Sequence, residues 1–166
     1  RSERAEREPV FNLPAVIIAS LAVLAIVHAV RVYVLDEAQA SWLIATFAFF
    51  PIRLTGAAIP GFYWPGGVAG DVWTFFSYAF LHGDWMHYSV NALWLAAFGT
   101  PLARRFGPWR FLVFSLGGAA AGAAAHLLLY PSGQAPLIGA SAAISAQMAA
   151  SARFAFSAGG RLGGGI

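Results

Sequence analysis

Apolar positions along this chain gather into four long runs, 13–35, 74–99, 109–130 and 139–157, set apart by stretches rich in Pro, Gly or Arg. Within each run the apolar character is continuous rather than alternating, so each is read as a helix and not as a half-buried strand. The first run is long enough to cross the roughly 30 Å hydrocarbon core of a bilayer. Pro14 suits its first turn, where a missing N–H costs little, and His28 and Arg31 interrupt it near the far end. A secretory signal would have an apolar region of about 7–15 residues, shorter than this run, so it is taken as a retained helix even though Ala38-Gln39-Ala40 mimics a cleavage site. The fourth run is shorter than a full crossing, as expected of a helix whose N-terminus starts inside the membrane.

Between the first two runs lies a segment, 36–73, broken by Pro51, Pro60 and Pro65 yet carrying Trp42, Phe47, Phe49, Phe50, Phe62, Tyr63 and Trp64. Aromatic side chains at this density suit the headgroup boundary, and Ser41 to Phe50 is expected to lie there as a short interfacial helix.

Composition identifies the solvent. The chain is 59% hydrophobic and 10% charged, with a mean hydropathy of +0.67, whereas a water-soluble domain carries about a quarter charged residues. The expected class is therefore all-α, a polytopic bundle of transmembrane helices with the lipid bilayer as its surroundings. The net charge of +3 is carried on Arg, because Lys is absent. So small a basic excess, set among apolar runs, argues for membrane orientation and against nucleic acid. If the four runs alternate across the membrane, Arg1, Arg4, Arg7, Arg104, Arg105, Arg110, Arg153 and Arg161 fall on one side, and Arg53 and Arg31 on the other. The positive-inside rule then makes the 1–12 tail cytoplasmic and turns the aromatic segment outward. Cys is absent, which removes disulfides, zinc–thiolate sites and a cysteine nucleophile from consideration.

Small residues set how closely the helices approach. Gly117 to Ala125 is almost wholly Gly and Ala, with Gly118 and Gly122 in a small-xxx-small arrangement, and Ser141, Ser145 and Ala149 repeat the spacing on the fourth run. Close helix contact is expected at both.

Polar side chains inside such runs are costly, since an amide carried into hydrocarbon without a partner loses roughly 2–7 kcal/mol, and they tend to mark function. His87 and Asn91 share one helix face, one turn apart. Ser141 opens the fourth run on the same side of the proposed membrane arrangement. His28 and His126 lack such company and are read as packing or interfacial residues, and Ser145 as a packing residue.

Taken together, the segment Trp73-Thr74-Phe75-Phe76-Ser77-Tyr78-Ala79-Phe80-Leu81-His82, the pair His87-x-x-x-Asn91 and the triplet Gly139-Ala140-Ser141 resemble the rhomboid intramembrane serine proteases in order and spacing. The resemblance implies a six-span core, of which four spans are present here. It implies Ser141 as nucleophile, His87 and Asn91 as donors that surround the oxyanion with the serine N–H, and His82 as a histidine beside that site. It implies neither metal nor organic cofactor. The substrates it implies are transmembrane helices of other proteins, cut near the outer leaflet of a bacterial inner membrane. The histidine that takes the proton from serine stands on the sixth span in that family and is expected beyond residue 166; an opening Arg1 fits the same expectation of an incomplete chain. By itself, this stretch is expected to be inactive.

Three positions depart from the family pattern. Ala142 follows the nucleophile where Gly is usual, Thr74 stands where many members have Arg, and Ala103 replaces a Glu between Gly99 and Gly107. Ala142 and the missing histidine leave a second reading open: a proteolytically inactive rhomboid-like protein that binds membrane helices. A channel or transporter is disfavoured, because Asp84 is the single acidic residue within the four runs and most of the other charges lie outside them.

Overall fold

The computed structural model describes residues 12–56 and 61–156. Among them the chain is all-helical, with one isolated antiparallel bridge between Phe49 and Leu137. Most of the expected 1–12 tail, with Arg1, Arg4 and Arg7, and the end of the chain with Arg161 lie outside the described residues.

Helix α1 (Ala15–Tyr33) and helix α7 (Pro108–Leu129) follow the first and third apolar runs closely and are long and apolar enough to cross a membrane. Between α1 and the site the aromatic segment folds into short helices. Helix α2 (Glu37–Phe47) starts earlier than Ser41 because Asp36 and Gln39 form a capping box: the Gln39 N–H donates to Asp36 Oδ1 at 2.8 Å and the Asp36 N–H to Gln39 Oε1 at 3.1 Å, satisfying otherwise orphaned groups. Helix α3 (Pro51–Leu54) and helix α4 (Gly67–Ser77) are joined by Arg53. Its guanidinium bonds Asp71 Oδ1 at 2.6 Å and the carbonyl oxygens of Pro65 and Gly67. Trp73 Nε1 and Ser77 Oγ donate to the carbonyls of Thr46 and Phe47 at the end of α2, so this segment is a tied, structured cap.

The second run differs from its reading as one helix over 74–99. Helix α4 ends at Ser77, a 3-10 turn covers Tyr78–Phe80, and a new helix, α5 (Trp85–Trp94), begins after Leu81–Asp84. The cause is local. Gly83 and Asp84 interrupt an otherwise apolar stretch, and Asp84 caps α5 by accepting the His87 N–H at 2.7 Å, an N-cap worth about 1 kcal/mol. The helix then runs past Gly99, through a π turn (Leu95–Gly99) into helix α6 (Thr100–Phe106). Pro101 cannot donate to a carbonyl four residues back, and the widened turn before it absorbs the mismatch. The expected loop at 100–108 thus shrinks to Gly107, whose φ of +77° ends the helix.

Helix α8 (Ser141–Phe156) packs most closely on α7. A Cβ at Gly122 would collide with Ala142 Cβ, and one at Gly118 would lie 2.8 Å from Ala146 Cβ. The glycine half of the small-residue expectation therefore holds, but its partners are Ala142 and Ala146. Ser141, Ser145 and Ala149 lie one position over, on an exposed face of α8, and Ser145 Oγ donates back to the Ser141 carbonyl at 2.8 Å. Polar pairs close the inner side: Gln147 Nε2 donates to Ser115 Oγ on α7, and Ser151 Oγ to the Phe98 carbonyl in the π turn.

These contacts separate two neighbouring glycines. Gly122→Ala should destabilise the protein by about 1–3 kcal/mol through overpacking, whereas Gly117→Ala, where a Cβ meets nothing within 4 Å, should be neutral or slightly stabilising. Thermal unfolding in detergent measures both; equal melting temperatures would show that the α7–α8 approach is not limiting.

Candidate active site

Three elements meet where Gly139, two residues before Ser141, approaches His87 and Asn91. Helix α5 carries His87 and Asn91, α8 starts with Ser141, and the loop before α8 crosses in front of α5 at Gly139. Gly139 has φ +108°, a conformation open to glycine and strained for other residues. A side chain is excluded there for a second reason: a Cβ would lie 2.6 Å from His87 Nε2 and 3.5 Å from Asn91 Nδ2. The Gly139 N–H donates to the Tyr78 carbonyl at 3.0 Å. Tyr78 is buried, and its hydroxyl donates to the Ala119 carbonyl of α7 at 2.8 Å. One residue thus bonds both the strand of loop entering α8 and the helix on which α8 packs.

Each donor on α5 is held at one end. The Gly83 N–H donates to His87 Nδ1 at 3.3 Å, so a neutral ring carries its proton on Nε2, the atom that faces Gly139. Asn91 is buried and bonds its own helix through Nδ2 to the His87 carbonyl at 3.1 Å, which leaves the second amide hydrogen. Ser141 is exposed at the first turn of α8, where the N–H groups lack intrahelical partners and the helix dipole is positive. Nε2–H, the amide and a helix N-terminus around one glycine form a set of donors suited to developing negative charge on an oxygen.

His82 is fully buried and lies edge-on to His87, ring centroids 5.1 Å apart. It stands behind His87 in an aromatic layer with Tyr88 and His28. His28, read from the sequence as a packing or interfacial residue, is buried and meets Trp85 edge-on at 4.6 Å. His126 packs on Tyr130 at the end of α7. Among the described residues no cluster of His, Asp or Glu is arranged to hold a metal ion. Two residues escaped the sequence reading. Tyr78 was one aromatic among many. Arg31 counted only as a charge, yet its Nη2 donates to the carbonyls of His82 and Gly83.

Residues 69–163 match the family model described as Rhomboid domain, a region that holds the site from α4 to α8. No curated protein matches the chain.

Gly139→Ala is expected to combine left-handed strain with a clash on the His87 ring, at about 2 kcal/mol or more. Gly107→Ala shares the positive φ but has open space around it, so it should cost less. A Gly139→Ala protein as stable as the Gly107→Ala one would mean that the loop does not press on His87.

Proposed function

The chain belongs to the rhomboid family, so it is a membrane protein of the intramembrane type, and we propose that it is a serine protease that cleaves transmembrane helices of other membrane proteins. The observation that carries this reading is the approach of Gly139, two residues before Ser141, to His87 Nε2 and Asn91 Nδ2. In the proposed reaction Ser141 Oγ attacks a substrate peptide carbonyl. The carbonyl oxygen becomes an oxyanion, received by the Ser141 N–H, His87 Nε2–H and the free Asn91 amide hydrogen. A histidine base, as the family resemblance implies, takes the serine proton and returns it to the leaving amine, and water then releases the acyl group by the same path. His87 is better fitted to donate than to act as that base, because Gly83 occupies its Nδ1.

The non-proteolytic alternative rests on Ala142 and on the missing histidine, and the structure bears on the first. The Ala142 methyl group meets Gly122 of α7, and a methyl turned into the helix contact leaves the catalytic reading the stronger of the two. The proposed orientation has a cytoplasmic N-terminus. Arg104 donates to the Asn12 carbonyl just before α1, and Arg105 lies over Phe154 near the end of α8, which gathers cations at one end of the bundle, while Arg31 and Arg53 sit at the other.

In the full-length protein Ser141→Ala should abolish cleavage of a single-span reporter while thermal stability stays near wild type; retained turnover would exclude Ser141 as nucleophile. Asn91→Ala should lower kcat by about 10²–10³ with KM little changed, because the bond strengthens only as charge develops. Wild-type kinetics for that variant would return Asn91 to helix packing.

Orientation has a separate test, since the chain has no native Cys. A Tyr63→Cys protein should react with an impermeant thiol reagent added to intact cells and a Trp109→Cys protein should not, both side chains being well exposed; the reverse pattern would invert the topology.

A further inference from the structure

Arg31 belongs to α1, outside the elements that carry the site residues, yet its guanidinium reaches the loop before α5. Nη2 donates to the His82 carbonyl at 2.8 Å and to the Gly83 carbonyl at 2.6 Å. The first of these carbonyls shares its peptide unit with the Gly83 N–H, which donates to His87 Nδ1 at 3.3 Å. A cation on the carbonyl side of a peptide polarises it and strengthens the N–H on the other side. The next residue, Asp84, accepts the His87 backbone N–H, so His87 is gripped through both its main chain and its ring by a loop that Arg31 clamps.

We propose that Arg31 is a positioning residue for His87: by binding the His82–Gly83 peptide it makes the Gly83 N–H a strong donor to Nδ1 and keeps the imidazole proton on Nε2, facing the oxyanion position. The proposal rests on the reading of His87 as an oxyanion donor. Arg suits the task better than Lys, because its charge is permanent and the planar Nη2 holds two hydrogens in fixed directions for two neighbouring carbonyls. With Nδ1 released, the ring can place its proton there instead, and Nε2 would then present a lone pair to the developing negative charge. The tautomer decides between a stabilising and a repulsive contact at that atom.

The test compares Arg31→Met, Arg31→Lys, His87→Ala and the Arg31→Met/His87→Ala double variant in the full-length protein reconstituted in vesicles. Arg31→Met should lower kcat by about 5- to 30-fold, less than the loss of a whole donor, with KM within about twofold. Arg31→Lys should recover part of the loss. In the His87→Ala background Arg31→Met should cost nothing further, because the two act through one ring. Imidazole ¹⁵N resonances should show His87 protonated at Nε2 in the wild type and a tautomer mixture in Arg31→Met. A wild-type ring protonated at Nδ1, or an equal cost of Arg31→Met in both backgrounds, overturns the proposal. Should Ser141→Ala retain cleavage, the catalytic reading falls instead, and the ¹⁵N resonances still decide the role of Arg31.

Discussion

Where Gly122 of α7 faces Ala142 of α8 there is no room for another methyl group, and the placement of the whole site follows from that approach. Without an aqueous hydrophobic drive inside lipid, helices associate through close van der Waals contact and polar bonds. Gly118 and Gly122 supply the contact; Gln147 and Ser115 supply a bond beside it. Once α8 is pressed onto α7 at its first turn, the loop ahead of Ser141 must cross α5. Only a residue without a side chain fits between that loop and His87. The two close approaches, one between helices and one between loop and ring, are successive consequences of small residues at fixed positions.

The same economy governs polar groups outside the site. Ser20, Thr46, Ser115 and Ser145 each donate to the carbonyl four residues back, a local bond that satisfies a hydroxyl without a neighbouring helix. The longer side chains tie separate elements together. Arg53 closes the aromatic cap on α4, Trp73 and Ser77 fasten α4 to the end of α2, and Tyr78 links α7 to the loop before α8. In an apolar chain with few charges, most of these bonds use a main-chain carbonyl as acceptor, the Arg53–Asp71 pair being the exception, because carbonyls are available where helices stop. Arg31 follows that rule too, except that the carbonyls it binds belong to the loop that holds His87.

The helical architecture was legible because it depends on averages: continuous apolar runs at α1 and α7 gave boundaries within a few residues. The region between Thr74 and Gly107 was not, because individual residues decide it. Gly83 and Asp84 carry little weight in a hydropathy pattern but start a new helix, and Pro101, which normally argues for an end, is carried through by a π turn. The candidates His87, Asn91 and Ser141 come from spacing, which is a property of sequence, and the structure places Gly139, two residues before Ser141, against His87 and Asn91. Their supports do not come from spacing. Tyr78 bonds through its carbonyl as well as its ring, and the partners of Arg31 lie about 50 positions away, at a distance no periodicity reports. Likewise, the four-residue spacing of Ser141, Ser145 and Ala149 suggested a contact face, while the face actually used is one residue over, at Ala142 and Ala146.

That distinction changes the energetic account of the polar pair. An unpartnered amide in an apolar run would cost several kcal/mol, but Asn91 already bonds its own helix and His87 already receives the Gly83 N–H. Each group is therefore half satisfied in the resting fold, and the satisfied half fixes its orientation. On the donor side one N–H stays open on each, His87 Nε2–H and the second Asn91 Nδ2 hydrogen, on nitrogens near the loop at Gly139. A donor anchored in this way needs no reorganisation when negative charge forms beside it, the condition under which such bonds lower a barrier most. The arrangement is also modest in its resting cost, because the main chain, and not a second set of buried side chains, provides the anchoring partners.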